Sequence, residues 1–95
     1  MGAKLALRAL GLIETRTLVG AITAADVILK NSGLEIKGKY VEESITIFFE
    51  GEISKINLAL DVSTTLLRRI GELKYYHLIS NPNNKMEEFL SSSKF

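Results

Sequence analysis

The sequence predicts an α/β (α+β) fold whose elements follow the order β-α-β-β-α-β. Three observations predict it. Strand-like apolar runs recur at "LALRALGLIE", "LEIKGKY", "SITIFFEG" and "ELKYYHLIS". Two longer segments carry apolar residues at helical spacing. The second and third strands are joined by too short a link for a crossover, so they form a hairpin. A chain of 95 residues holds one core. The elements then make a four-stranded antiparallel sheet with two helices on one face, the ferredoxin-like split βαβ arrangement.

Residues 4–14 read as the first strand. Leu5, Leu7, Ala9, Gly11 and Ile13 alternate with Ala6, Arg8, Leu10 and Leu12. Both faces are apolar except for Arg8, as in a strand buried on two sides. Thr17 can cap a helix running to about Asn31, and "NSG" stops it. The inner stripe of that helix is expected at Leu18, Ala21, Ile22, Ala25, Ile28 and Leu29. In the third strand Ile45, Ile47 and Phe49 face one way and Thr46, Phe48 and Glu50 the other. Ile53 to Ile70 form the second helix, with Ile53, Ile56, Leu60, Thr64 and Leu67 inside and Gly71 as its stop. Pro82 ends the regular domain, which is expected over residues 4–82. Residues 83–95 are expected to be a C-terminal tail or short helix.

Two helices cover only one face of such a sheet. The first strand is apolar on both faces, and "FF" and "YY" put aromatics on both sides. This surplus predicts burial against further copies of the chain. The other reading is that the terminal segment folds over the open face. Gly20, Ala21, Ala24 and Ala25 crowd the first helix with small residues. They permit a close approach, either to the chain's own sheet or across a subunit boundary.

The charge balance is +1, from 12 basic and 11 acidic side chains. It gives no footprint for nucleic acid or an acidic membrane surface. There is no cysteine, which excludes disulfides, thiolate metal sites and Cys nucleophiles. Neither a signal peptide nor a membrane-spanning stretch is expected, so a soluble cytoplasmic protein is the default. His77 is the one histidine and falls within a strand. No nucleophile–base pair, metal set or paired acids stand out, so no enzyme, metal or cofactor is expected.

The stretch "LGLIETRTLVGAITAADVILKNSGL" closely resembles the bacterial microcompartment (BMC) shell domain. "FFEGEISKINLALDVSTTLLRRIGELKYYHLISNP" is similar to the second half of the same domain. The resemblance implies cyclic homohexamers that tile, with other shell proteins, into a microcompartment shell in the bacterial cytoplasm. It also implies an axial pore that passes small polar metabolites. By the same resemblance Glu14, Thr15 and Arg16 are subunit-interface candidates, and Lys30 and Asn81 stand at the hexamer edge. The pore hairpin would comprise Tyr40, Val41, Glu42, Glu43 and Ser44.

The chain departs from the family here. Its hairpin, "KGKYVEESITI", is shorter and lacks the usual glycines. Asn81 replaces the usual arginine. Glu42 and Glu43 either line the axis, favouring cations and neutral solutes, or form an ordinary solvated tip. A second functional reading is a self-associating regulatory or ligand-binding module of the ACT or PII type.

Overall fold

The computed structural model describes residues 7–31 and 33–80. Asn81, the expected domain end at Pro82 and the tail at 83–95 lie outside the described residues, as do residues 4–6 of the expected first strand. The elements are β1 (Arg8–Thr15), α1 (Leu18–Leu29), β2 (Glu35–Val41), β3 (Ile45–Glu52), α2 (Ile53–Arg69) and β4 (Leu73–Ser80). The sheet runs β2-β3-β1-β4 with every neighbouring pair antiparallel.

Alternation along the central strands sorts the core into two. Ala9, Ile13, Ile47 and Phe49 face the helices and pack with Ala21, Ala24 and Ile28 of α1 and Ile56, Ala59, Leu60 and Leu67 of α2. Leu10, Leu12 and Phe48 form a second cluster on the opposite face, joined by Tyr40 and Ile79. Arg8, the polar exception in β1, places its guanidinium 3.5 Å from Glu50 on the paired strand.

The α2 segment forms the helix its pattern predicts. Ile56, Leu60, Thr64 and Leu67 are buried, as are Ala59 and Ser63. Gly71 stops it with φ 72, a left-handed conformation that glycine adopts without a Cβ clash. The Glu72 N–H donates to the Leu67 carbonyl at 2.8 Å and the Gly71 N–H to the Arg68 carbonyl at 3.2 Å. These bonds close the helix end in a Schellman motif.

The α1 stripe departs from its expectation. Gly20, Ala21, Ala24 and Ile28 are buried, whereas Leu18, Ile22 and Leu29 are 62%, 60% and 67% exposed. The helix is rolled so that its smallest residues meet the subunit. A Cβ on Gly20 would overlap the Glu72 carboxylate and come within 2.8 Å of the Thr15 Cβ. The close approach is possible only because Gly20 has no side chain, and it turns the larger apolar residues outward. The open sheet face keeps its own apolar cluster, and the flank of α1 adds further exposed apolar surface to it.

Candidate assembly and pore surfaces

Strand register fixes which candidate residues share an end of the molecule. Thr15 faces Ile45 on one side and Leu73 on the other. The turn Glu42–Glu43–Ser44, between the paired residues Val41 and Ile45, therefore projects at the same end as Glu14 and Lys74. Arg8 and Ser80 mark the other end of the sheet. At about 3.3 Å per residue, eight residues of β1 separate the two ends by roughly 25 Å. Because α1 runs away from the hairpin end, Lys30 at its C-cap lies at the far end. The hairpin candidates and the edge candidate Lys30 are thus held apart.

Tyr40 and Val41 belong to β2 rather than to the turn. Tyr40 packs on the open-face cluster. The Glu42 carboxylate accepts a hydrogen bond from its phenol and, with partial desolvation and the carboxylate charge, pushes the phenol above its ordinary pKa. The Ser44 hydroxyl donates to Glu14 Oε2, and Lys74 Nζ lies 3.8 Å from the same oxygen. Lys74 can reach because the β1–β4 register shifts there, with Glu14 opposite Tyr75 but Thr15 opposite Leu73. A hollow of about 360 Å³ opens beside the tip, lined by Glu14, Tyr40, Glu42, Glu43 and Lys74 among others.

The Glu14–Thr15–Arg16 corner splits three ways. Glu14 holds the hairpin. Thr15 is fully buried, with its hydroxyl 3.0 Å from the Thr17 carbonyl and 3.3 Å from the Ile45 carbonyl, so it has no surface to offer a neighbouring subunit. Arg16 is exposed and anchored through its backbone N–H to the Glu72 carbonyl at 2.9 Å.

Glu72, which no sequence motif marks, holds the start of α1. Its carboxylate accepts from the Thr17 N–H at 2.8 Å, the Thr17 hydroxyl at 2.8 Å and the Gly20 N–H at 3.1 Å. Partial burial works to raise its pKa, but those three donors and the nearby Arg16 charge outweigh burial and hold it below the usual glutamate value. The Thr17 and Gly20 N–H groups at the start of α1 are thereby satisfied from more than fifty residues away. Thr17 caps as expected, its hydroxyl accepting from the Val19 N–H at 3.2 Å. The one hint available in sequence is an acid placed directly after the Gly71 stop.

The two flanks of the subunit differ in kind. Beside β2, an apolar groove of about 230 Å³ is lined by Leu18, Ile22, Ala25, Ile36 and Val41. Beside β4, a larger groove of about 690 Å³ is lined by Arg16, Arg68, Lys74, Tyr75, Tyr76 and His77. Arg68 lies over the Tyr76 ring at 5.8 Å, a cation–π contact. His77 stacks on Tyr75 with centroids 6.2 Å apart. No group of three potential metal ligands is found among the described residues. None of their helices is long and apolar enough to cross a membrane.

This fold, with unlike flanks and the candidate residues divided between opposite ends, offers surfaces suited to assembly. The BMC-domain family profile matches residues 9–82, and the chain belongs to that family. It is 32% identical over 84 residues to the bacterial microcompartment shell protein PduA of Salmonella typhimurium, covering 86% of this chain and 89% of that protein. It is 34% identical over 84 residues to the shell protein EutM of Escherichia coli, covering 86% and 87%. It is also 33% identical over 90 residues to the carboxysome shell protein CsoS1 of Prochlorococcus marinus, covering 92% and 87%. Its role is structural, as a shell protein of a bacterial microcompartment. Shell proteins of this kind self-assemble and pack with one another.

Proposed function

We propose that the chain forms a cyclic homohexamer that tiles into the microcompartment shell, with the β2–β3 hairpin around the ring axis. The observation that carries this reading is the pair of unlike flanks joined to a hairpin at one end. A heterologous contact between unlike surfaces generates a ring when its rotation closes. With the hairpins inward, Tyr40, Val41, Glu42, Glu43 and Ser44 bound an axial opening for small polar metabolites. Lys30 and Asn81 then belong to the outer edge, where neighbouring rings and other shell proteins meet.

Ser44 and Lys74 tie the tip to β1 and β4 through Glu14. That anchoring stands in for the missing glycines, because a fixed tip defines an aperture where a loose one would not. Solution mass measurement with electron microscopy tests the proposal. Rings and sheets are expected at high protein concentration. A chain that stays monomeric or dimeric there, with neither rings nor sheets, overturns it.

A further inference from the structure

We infer that Glu42 and Glu43 of one copy pair with Arg16 and Arg68 on the β4 flank of the next copy, so that charge sets the direction in which the ring closes. This inference rests on the ring reading. It begins with groups whose charge is not taken up in a salt bridge among the described residues, although the Arg16 charge also acts on Glu72. Among the described residues none of these four side chains takes part in an ion pair. The neighbouring carboxylates are already engaged: Glu14 by Ser44 and Lys74, and Glu72 by Thr17 and Gly20.

Level along the sheet supplies the geometry. Arg16 follows Thr15, which is opposite Ile45, while Glu42 and Glu43 lie just before Ile45. Arg68 occupies the last turn of α2, above the start of β4. The acids and the arginines therefore lie at the same end but on opposite flanks. Rotation about a ring axis preserves each group's distance from that axis. Surfaces that meet across the boundary must lie at equal distance from it, so the acidic tip of one copy arrives beside the basic end of the next.

Charge complementarity agrees with that placement. The groove beside β4 is lined by Arg16, Arg68, Lys74 and His77, and no carboxylate is among its described walls. Farther from the tip, the exposed Tyr75 and Tyr76 are matched by the apolar groove of Leu18, Ile22 and Val41. Aromatic rings against an apolar groove suit the centre of an interface, with charged pairs at its rim. The glutamates are then neutralised sideways, and the axial opening does not present a bare acidic ring. Rim charges act chiefly on orientation and partner choice. Here they favour tip against β4 flank and oppose tip against tip.

The test uses two full-length variants purified separately, E42K/E43K and R16E/R68E. Each alone places like charges across every boundary. Ring dissociation is expected at protein concentrations roughly tenfold or more above those for the unsubstituted chain. Mixed in equal amounts, the two variants alternate around an even-numbered ring with opposite charges at every boundary, and rings return. Circular dichroism on each variant separates misfolding from failed assembly. A measurement without variants stands beside it: ring dissociation of the unsubstituted chain is expected to become easier as salt rises. Rings indifferent to both reversals and to salt overturn the pairing while leaving the ring reading intact. Mixed variants that fold but do not form rings also overturn it. If the unsubstituted chain forms no ring, both inferences fall together.

Discussion

The two helices cover the same sheet yet serve different surfaces. On α2 the predicted stripe is buried from Ile56 onward, with Ile53 partly buried, and its last turn closes in a glycine-stopped cap. On α1 only small residues and Ile28 turn inward, while Leu18, Ile22 and Leu29 face out beside β2. The difference teaches that an amphipathic pattern reports which residues avoid water, without saying which molecule covers them. For α2 the cover is the subunit itself. For α1, in the ring proposed above, much of it is the next copy.

Substitutions on both helices sharpen this contrast, and the largest effect belongs to the closed one. Leu67→Ala removes a fully buried side chain of α2 and is expected to cost about 2–5 kcal/mol in urea unfolding. Gly20→Val drives side-chain atoms into Glu72 and Thr15 and is expected to cost about 1–3 kcal/mol. A Gly20→Val chain as stable as the original would break the account of why α1 is rolled. Ser63→Ala has the opposite sign. The Ser63 hydroxyl is buried in α2 without a hydrogen-bond partner among the described residues, and its removal is expected to raise stability by about 1 kcal/mol.

Glu72 adds a pH dependence to α1. Its pKa in the folded chain lies below the ordinary value of 4.5, so the unfolded chain takes up the proton more readily. Its contribution is full above pH 4.5 and fades as pH falls through the folded value. Glu72→Gln is therefore expected to flatten unfolding curves collected below pH 4.5. An unchanged acid slope would remove Glu72 from that role. The smallest effect on folding belongs to Ile22→Ser, within about 0.5 kcal/mol as expected for an exposed position. Its effect on mass should be large, because it puts a hydroxyl into the apolar flank groove. If Ile22→Ser rings are as stable as the original, the proposed α1 interface fails.

Much of the fold was legible because the sheet and α2 are governed by local periodicity. Period-two alternation in "ITIFF" separated Phe48 from Phe49 correctly, each now in a different cluster. Gly71 marked its stop because a left-handed residue is a local requirement. The candidate surfaces were legible less evenly. The sequence indicated the hairpin and the corner at Glu14, but not that Thr15 would be sealed inside or that Tyr40 would pack on the open-face cluster.

By itself the sequence determined the element order, the two-sided burial of β1, the stripe of α2 and the family. Each depends on residues close together in the chain, or on a long run of matched residues. Only the tertiary structure decided that Glu72 caps α1, that Gly20 lets the helix approach, and that Leu18, Ile22 and Leu29 therefore face outward. Those outcomes depend on groups more than fifty residues apart meeting at hydrogen-bond distance. Local periodicity carries no information about such a meeting.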